Sequence, residues 1–304
     1  MRVFITGGSG LIGRHLAARL IERGESVVVL TRSVAKASKV LPADVSLIEA
    51  DPTIRGHWQN AVASADAVVN LSGEPILDHR WTKTRKGRIL TSRTSSTENI
   101  AEAMVDCSDG PKTLVSGSAI GFYGPRGNEE LFEDAPPGGD FLSRVSIQWE
   151  AATRRASEAG IRVALLRSGI VLAREGGALA RMMLPFRLHV GGPIGSGRQW
   201  VSWIHIDDLV GMVIYALDNP ALEGPINATA PDPVTNRRFA RTLGELLGRK
   251  SWLPVPKVLL RITLGQIATI VGQGQRILPA KALAAGYRFR HTNLRGALEQ
   301  ILIH

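Results

Sequence analysis

Three glycines near the N-terminus, Gly7, Gly10 and Gly13, are spaced three residues apart. A short apolar strand is predicted before them and an amphipathic helix after them. Between a strand and a helix, such glycines let the backbone turn tightly and approach the pyrophosphate of a dinucleotide, which the helix N-terminus then holds. We therefore predict that Gly7, Gly10 and Gly13, together with the adjoining Leu11 and Ile12, bind a dinucleotide.

The end of the second predicted strand, residues 26–30, distinguishes between the two common dinucleotides. An NAD site usually has an acidic residue here, which accepts hydrogen bonds from the ribose 2′-hydroxyl. This chain has Thr31 and Arg32 instead, and a guanidinium suits a 2′-phosphate but cannot accept a hydrogen bond. We therefore predict that Thr31 and Arg32 bind NADP(H). The alternative is that Arg32 is a solvated arginine at a strand end.

Alternating strands and helices must position these residues. Further apolar strands are predicted at 45–48, 67–71, 113–116 and 163–167, and helices at 58–63, 84–104 and 141–158. This alternation is typical of a parallel sheet covered on both faces, the doubly wound α/β or Rossmann fold. After residue 168, breaks such as Gly224-Pro225 and short predicted helices at 207–217, 236–247 and 257–270 indicate a smaller lobe. We therefore predict an NADP-binding domain at 1–168 and a substrate lobe at 169–304.

The composition of the 304-residue chain is that of a globular protein, with 44% hydrophobic and 21% charged residues. Its single cysteine, Cys107, excludes an intrachain disulfide. The first predicted strand begins at once, which leaves no room for a signal peptide. The most apolar later segment, 258–271, is too short and too polar to span a bilayer. We therefore expect a cytoplasmic protein with no membrane partner.

The net charge of +10 lies in the C-terminal part of the chain. From Arg237 onward there are twelve Lys and Arg residues against two acidic ones, Glu245 and Glu299. Such a basic region attracts anionic ligands, although a general bias towards arginine would also produce it. No nucleic-acid-binding module or run of like charge is present. We therefore expect a small anionic substrate and no nucleic-acid partner.

Several motifs occur together along the chain. They are Thr6-Gly7-x-x-Gly10-x-x-Gly13, Asn70-Leu71-Ser72-Gly73, Ser116-Gly117-Ser118 before Tyr123-Gly124, and Trp203-Ile204-His205-Ile206-Asp207-Asp208. This set resembles the extended short-chain dehydrogenases/reductases, the class of the nucleotide-sugar epimerases and dehydratases.

A second set of segments is more specific. It includes Gly73-Glu74-Pro75-Ile76, Ser92-Arg93, Leu184-Pro185-Phe186-Arg187, Gly191-Gly192-Pro193-Ile194 and Ala284-Ala285-Gly286-Tyr287. Over nearly its whole length, the chain is similar to an atypical branch of that class, the epimerase family proteins (SDR39U1-like). The resemblance extends to that family's own C-terminal domain, at about residues 252–304.

The resemblance implies roles for residues that follow the predicted strands. Ser118 corresponds to the serine that hydrogen-bonds the reacting oxygen, and it is the one catalytic residue we predict. The alternative for Ser118 is a hydrogen bond to local backbone. Arg93, four residues before Thr97, stands where the class often has an asparagine facing the nicotinamide ribose, so we expect it to contact a cofactor phosphate or ribose. The other predicted cofactor contacts are Leu71, Ser72, Ser168 and Ile170.

The extended short-chain dehydrogenases/reductases use a proton-transfer pair, Tyr-x-x-x-Lys, which is absent from this sequence. In that pair the tyrosine gives or takes the proton, and the lysine lowers its pKa. None of the three tyrosines here is followed four residues later by lysine, and Leu142 and Ser146 stand in the corresponding places. The proton donor is therefore unassigned. Tyr123 is a substitute if it faces the crevice, and a packing residue if it does not.

A few other groups have both a chemical and a structural interpretation. Lys86 could meet an anionic substrate or be solvated, and Asp51 could approach adenine or cap a helix. His205, Asp207 and Asp208 could suggest a metal, but we favour a structural role in which an aspartate caps the next helix. No His or Cys cluster has the spacing of a zinc site, so we predict no metal.

Two functional hypotheses follow from these observations. The first is an NADP(H)-dependent oxidoreductase or epimerase-like enzyme that acts on a small anionic substrate. The second is a non-catalytic NADP(H)-binding regulatory or scaffold protein, because the tyrosine–lysine pair is absent and some members of the resembling family are described as cell-division inhibitors. The resemblance also implies a homodimer through the helices near 88–106 and 141–159.

Overall fold

The computed structural model describes residues 1–107, 109–251, 253–255 and 273–303. In chain order its strands are β1 (Arg2–Thr6), β2 (Ser26–Thr31), β3 (Ser46–Glu49), β4 (Ala67–Asn70), β5 (Thr113–Ala119), β6 (Glu130–Leu131), β7 (Arg162–Ser168), β8 (Ile170–Leu172), β9 (Trp200–Val201), β10 (Trp203–His205), β11 (Gly224–Ala228), β12 (Val234–Thr235) and β13 (Arg276–Ile277). Seven of them form one parallel sheet in the order β3-β2-β1-β4-β5-β7-β11. This order confirms the predicted Rossmann fold, whose ligand crevice lies beyond the carboxyl ends of the strands.

Helices cover both faces of this sheet. In chain order, the helices of the described residues are α1 (Leu11–Glu22), α2 (Val34–Ala37), α3 (Gln59–Ala63), α4 (Lys83–Val105), α5 (Phe141–Ala151), α6 (Arg154–Glu158), α7 (Gly177–Arg187), α8 (Ile206–Asp218), α9 (Asn236–Leu246), α10 (Ala280–Ala284) and α11 (Leu294–Ile303). Neighbouring residues of β1 enter different cores, because side chains alternate across a strand. Ile5 packs in a cluster with α1 and α8, and Phe4 packs in a cluster with α3, α4 and α6.

One predicted helix is wrong. The segment 141–158 forms two helices, α5 and α6, which are separated by a turn at residues 152–153. The hydroxyl of Thr153 donates to the carbonyl oxygen of Glu150 at 2.7 Å, and the Thr153 N–H donates to the same oxygen at 3.2 Å. A bond to the residue three positions back tightens the turn, so the longer helix is interrupted here.

The predicted break at Gly224-Pro225 is also wrong, because these two residues begin β11. Gly224 has a φ of +66°, and β11 then runs parallel to β7 at the end of the sheet order. Proline is tolerated on an edge strand, where its missing N–H faces no partner strand. Both β11 and α8 follow residue 168 in sequence yet pack on the Rossmann sheet. The predicted domain boundary itself stays a prediction.

A second core fills the C-terminal half of the chain. It contains Trp203, Phe186, Phe239 and Leu298, from β10, α7, α9 and α11. The short pairs β8–β10 and β9–β12 border it. The sequence did not predict α7. The helix predicted at 257–270 and the apolar segment 258–271 lie outside the described residues.

The C-terminal segment returns to the loop that follows β5. There β13 pairs in parallel with β6, with Ile277 opposite Leu131. Both side chains are fully buried and pack with Tyr123, which belongs to a 3₁₀ turn at Ile120–Tyr123. Residues more than 140 positions apart in sequence therefore pack together beside the end of β5.

Candidate functional site

The glycine turn lies between β1 and α1, as the sequence predicts. Gly7 has a φ of +70°, and a Cβ there would lie 2.5 Å from the carbonyl oxygen of Leu71. A Cβ on Gly13 would lie 2.4 Å from the Gly7 oxygen, so α1 could not pack against the turn. Gly10 is the N-cap residue of α1 and provides no side-chain cap. The first N–H groups of α1 are therefore available to an anion. Leu11 and Ile12, in that first turn, are half-buried.

The end of β2 presents an arginine without a protein partner. Thr31 is buried, and its hydroxyl lies 3.3 Å from both the N and O atoms of Ser33. Arg32 is exposed and makes no hydrogen bond or ion pair with any residue in the described ranges. The nearby Glu49 carboxylate accepts the N–H of Val34 at 2.8 Å. The guanidinium of Arg32 is therefore free to meet an anionic group.

The end of β4 is held by a buried polar network. Asn70 donates to the Thr97 hydroxyl at 2.7 Å and accepts from the Thr6 hydroxyl at 2.7 Å. The hydroxyl of Ser72 lies 2.8 Å from both Asn70 Oδ1 and the Ser96 hydroxyl. These contacts occupy the polar side chain of Ser72, so Leu71 and Ser72 present mainly backbone to the crevice. The predicted contact of Leu71 and Ser72 with a cofactor stays a prediction.

Arg93 lies on α4 beside the end of β4. Its Nη1 donates to the carbonyl oxygens of Glu74 at 3.1 Å and Ile89 at 2.9 Å, and its guanidinium lies 5.0 Å from the ring centre of Trp149. The Thr97 hydroxyl donates to the Arg93 carbonyl oxygen, so the two residues share one helix face as predicted. Burial lowers the pKa of Arg93 to about 10.

Arg93 has no carboxylate partner among the described residues. The carboxylate of Glu74, the nearest candidate, pairs with Arg85. A buried cation without a counter-ion is costly, so this position favours an anionic or strongly polar ligand.

Asp51, for which the sequence left two roles open, forms a turn with Thr53. It does not cap a helix, because α3 begins only at Gln59.

The end of β5 carries Ser118, which is bonded to a side chain and not to local backbone. Its hydroxyl donates to Glu150 Oε1 at 2.6 Å. Arg167, on β7, donates to the same oxygen through Nε and to Glu150 Oε2 through Nη2, both at 2.8 Å. Only 3% of the Arg167 side chain and 11% of the Glu150 side chain are exposed. Ser118 therefore stands at the end of a buried ion pair.

Tyr123 is fully buried and packs in its loop, so it does not face the crevice. Its hydroxyl donates to Asn227 Oδ1 at 2.6 Å and accepts from Arg167 Nη1 at 2.9 Å. Burial raises the pKa of this phenol. Asn227 in turn donates to the carbonyl oxygen of Leu278. The polar chain from Ser118 therefore reaches the C-terminal segment without exposing a phenol.

Sequence reasoning missed Glu150, Arg167 and Asn227. Arg167 directly follows four apolar, buried residues of its strand, 163–166. A charged residue in such a strand needs a buried partner, and that signal could have led to it. Glu150 follows Trp149 on α5, one turn beyond Ser146.

Leu142 and Ser146, which stand at the tyrosine and lysine positions, both lie next to Gly121 in the 3₁₀ turn after β5. A Cβ on Gly121 would lie 3.1 Å from the Leu142 Cβ and 3.8 Å from the Ser146 hydroxyl. An apolar side chain and a small buried hydroxyl therefore occupy this place. Lys86 is half-buried on α4, with Nζ 4.9 Å from the Phe141 ring centre and 5.9 Å from that of Trp81.

The link between β7 and β8 forms the last predicted part of the site. The N–H of Gly169 donates to the Ala228 carbonyl, and that of Ile170 donates to the Ser202 carbonyl. The hydroxyl of Ser168 lies 3.4 Å from the carbonyl oxygen of Leu166. Ser168 and Ile170 are both half-buried. Backbone bonds therefore fix Ser168 and Ile170 beside the sheet edge.

The sheet register brings the predicted residues to one edge. Thr6 pairs with both Leu30 and Asn70, and Ser118 pairs with Arg167. The glycine turn, Arg32, residues 71–72, Ser118 and residues 168–170 therefore follow the carboxyl ends of neighbouring strands. The contacts of these residues with a cofactor stay predictions.

His205 and Asp207 form a cluster with His291, with possible ligand atoms within 4.8 Å of one another. The His205 ring, however, is already bonded on both sides: Nδ1 accepts the Asp207 N–H, and Nε2 lies 2.9 Å from Gln300 Oε1. It also stacks on His291 at 3.8 Å. These bonds support the structural interpretation over a metal site.

The predicted capping of α8 by an aspartate is wrong, since His205 is the capping residue. The Asp208 carboxylate instead accepts the N–H groups of Arg290 and His291, at 2.7 and 2.9 Å. It therefore ties the C-terminal segment to α8. Ile206 is the first residue of α8, and the His205 ring caps the helix by accepting the N–H of Asp207.

Within the described part of the chain, no helix has the length and apolar character needed to cross a membrane.

The family comparisons agree with this geometry. A model described as the NAD dependent epimerase/dehydratase family matches residues 3–228, and a domain of unknown function (DUF1731) matches residues 255–301. The Arabidopsis thaliana protein "Epimerase family protein SDR39U1 homolog, chloroplastic" is 41% identical over 99% of this chain and 87% of its own length. The human "Epimerase family protein SDR39U1" is 38% identical over 99% of this chain and all of its own.

Solved structures show the same fold. The crystal structure of human epimerase family protein SDR39U1 (isoform 2) with NADPH is 36% identical, covers both chains completely and has a TM-score of 0.88. The Thermus thermophilus UDP-glucose 4-epimerase complex with NAD, at 20% identity, covers all of this chain and 98% of its own with a TM-score of 0.82, which shows the fold alone. The chain belongs to the NAD dependent epimerase/dehydratase family, in the branch of the SDR39U1 epimerase family proteins.

Proposed function

We propose that the chain is an NADP(H)-binding oxidoreductase or epimerase-like enzyme. The observation that carries this proposal is the pairing of an uncapped glycine turn at α1 with Arg32 at the end of β2, which has no partner among the residues that the structure describes. Two features of the residues fit NADP(H). Glycine at position 7 keeps the turn open, since a Cβ there would lie 2.5 Å from the Leu71 carbonyl oxygen. Position 32, where an NAD site usually has an acidic residue, is an arginine. The human relative crystallised with NADPH supports the same choice.

Each part of the site has a proposed role in holding the dinucleotide. The N–H groups of α1 would hold the pyrophosphate, and Arg32 would hold the 2′-phosphate. Arg93 would meet a phosphate or ribose near the nicotinamide, because its buried charge has no carboxylate partner in the part of the chain that the structure describes. The bound cofactor would supply hydride donor or acceptor chemistry. Ser118 would bind the reacting oxygen of the substrate.

The proposed substrate is small and anionic. Lys86 is half-buried against the rings of Trp81 and Phe141, and Arg93 lies deeper on the same helix. Both cations favour an anionic group between the sheet edge and the C-terminal lobe. The excess of basic residues after Arg237 would attract such a ligand.

Calorimetric titration with NADPH and NADH tests the cofactor. We expect the wild type to prefer NADPH, and Arg32→Ala to lose about 10- to 100-fold of that preference, because a charge-assisted hydrogen bond is lost. Arg154→Ala is the matched control, since Arg154 is an exposed arginine paired only with Glu158. Equal affinity of the wild type for both dinucleotides would show that Arg32 is only a surface charge.

A second candidate is a non-catalytic NADP(H)-binding regulatory or scaffold protein, such as one acting in cell division. Two observations favour it. The hydroxyl of Tyr123 is bonded within the protein, and Leu142 and Ser146 stand in place of the tyrosine–lysine pair. Consumption of NADPH with a panel of small carbonyl compounds separates the two candidates. Turnover that Ser118→Ala abolishes would contradict the scaffold role, whereas tight NADPH binding without turnover would support it.

We also propose a homodimer, through α4 and the helices α5 and α6. These helices already pack side by side within the chain, where Arg155 pairs with Glu102 and Asp106. Light scattering after size-exclusion chromatography gives the mass directly. A mass of one chain at micromolar concentration would contradict this assembly.

A further inference from the structure

A buried ion pair lies beside Ser118, apart from the residues at the tyrosine and lysine positions. The Glu150–Arg167 ion pair lies behind Ser118, and Glu150 Oε1 is 2.6 Å from the Ser118 hydroxyl. None of these three residues is more than slightly exposed. Family resemblance assigned a role to Ser118 only, so Glu150 and Arg167 need an explanation of their own.

The ion pair fixes the direction of the Ser118 hydrogen bond. Arg167 binds Glu150 through two parallel N–H donors, at 2.8 Å each, which is the arrangement that favours an ionised carboxylate. An ionised carboxylate can only accept hydrogen bonds. A serine hydroxyl has one hydrogen, so the hydrogen of Ser118 must point towards Glu150.

What remains on Ser118 is a pair of acceptor sites. The residue ends the buried part of β5, and 4% of its surface stays exposed at the carboxyl edge of the sheet. A ligand that reaches its oxygen must therefore donate a hydrogen. A ketone oxygen cannot do so, whereas a hydroxyl or an amine can.

We propose that Glu150 and Arg167 hold Ser118 as a fixed hydrogen-bond acceptor, so that the crevice selects the alcohol form of a substrate over its carbonyl form. This inference rests on the proposed oxidoreductase function, because alcohol and carbonyl are the two forms that a hydride transfer interconverts. Glu150 and Arg167 are thereby positioning residues and specificity determinants, and Ser118 is the residue that contacts the substrate.

Neutron diffraction from crystals of the deuterated wild-type protein tests the hydroxyl direction without any substrate. We expect the Ser118 deuterium to lie on the line to Glu150 Oε1, with no deuterium on the Glu150 carboxyl group. A deuterium that points into the crevice, or a protonated Glu150, would overturn the proposal.

Crystals soaked in 2-propanol or acetone, at equal concentration and without a dinucleotide that could interconvert them, test the selection. We expect 2-propanol within hydrogen-bond distance of the Ser118 oxygen, with a preference of about tenfold over acetone, since an unpaired buried acceptor is costly. Acetone at that oxygen with equal or higher occupancy, or neither probe there, would overturn the selection.

Matched variants separate the parts of the proposal. Ser118→Ala should lose the preference between the two probes, and Glu150→Gln should reduce or reverse it, because an amide can donate a hydrogen to Ser118. Ser116→Ala is the control: Ser116 lies in the same strand, fully buried, with its hydroxyl near the Gly117 carbonyl oxygen. It should keep the full preference.

Calorimetry with NADPH distinguishes a failure of this inference from a failure of the proposed function. If the wild type binds NADPH and the Ser118 hydrogen points into the crevice, only the inference fails. If the wild type does not bind NADPH, the proposed function fails, and the neutron result still decides how Ser118 is held.

Discussion

The two ends of the crevice are built differently. At the dinucleotide end, Arg32 is exposed and has no partner in the described ranges, and no described side chain caps α1. At the Ser118 end, the polar side chains bond to one another: Ser118 to Glu150, Glu150 to Arg167, and Arg167 to Tyr123. One end leaves its polar groups for a ligand, and the other satisfies within the protein all of these side-chain groups except the acceptor sites of Ser118.

The difference shows where each end obtains its order. The glycine turn needs only a backbone shape, which short-range sequence spacing encodes. The Ser118 end needs partners from α5, β7 and β11, and each partner left unpaired in a buried position would be costly. Substitutions should therefore destabilise the protein strongly at the Ser118 end, and mostly affect ligand binding at the dinucleotide end.

Removing Glu150 should have the largest effect. Glu150→Ala leaves Arg167 buried without its counter-ion, so we expect a loss of about 3–5 kcal/mol in the free energy of unfolding. Urea denaturation measures it. Glu158→Ala, which breaks the exposed pair with Arg154, should change stability by about 0.5 kcal/mol or less. Similar losses in both variants would remove the contrast between buried and exposed pairs.

Gly13→Ala should cost less but affect both properties. The added methyl group would lie 2.4 Å from the Gly7 oxygen, so α1 must shift, at about 1–3 kcal/mol, and NADPH binding should weaken with it. Gly87→Ala is the control, because nothing lies within 4 Å of its Cβ position on α4. That variant should gain about 0.5–1 kcal/mol. A neutral Gly13→Ala would contradict the close packing of the turn.

Alkaline pH should weaken the Ser118 end. Burial raises the pKa of Tyr123 above its value in the unfolded chain, so the folded protein holds this proton more tightly. The resulting stability is present below about pH 10 and is lost as the pH rises from there towards the folded-state pKa. Unfolding at pH 8 to 11 should show a smaller fall in Tyr123→Phe than in the wild type. Tyr287, whose pKa burial also raises, contributes equally to both proteins.

Arg32→Ala should have the smallest effect on stability. The exposed guanidinium has no partner within the described residues, so the free energy of unfolding should change by about 0.5 kcal/mol or less. The same variant should lose its NADPH preference. Thermal denaturation with and without NADPH measures both. A large loss of stability without the dinucleotide would mean that Arg32 supports the fold.

The fold and the dinucleotide end could be predicted because their signals are local. The strand–glycine–helix order around residues 2–22 requires no knowledge of distant residues, and the apolar runs of the central strands show that both faces are covered. Arg93 and Thr97 were placed on one face by helical spacing alone.

The Ser118 end could not be predicted because its partners are distant in sequence. Ser118 contacts Glu150, which pairs with Arg167, only after α5 and β7 have packed. The sequence around Ser118 does not indicate either partner. The break after α5 depends on one hydroxyl, that of Thr153, which competes for a helix carbonyl. β11 was mistaken for a break because glycine and proline begin it, although an edge strand accepts both.

The contact between β13 and β6 also has a consequence for the order of folding during synthesis. Asn227 bonds to the Leu278 carbonyl, and the Lys281 N–H bonds to Glu133. The surroundings of Tyr123 can therefore close only after residue 281 has emerged from the ribosome, so this end of the crevice is completed when the chain is nearly finished.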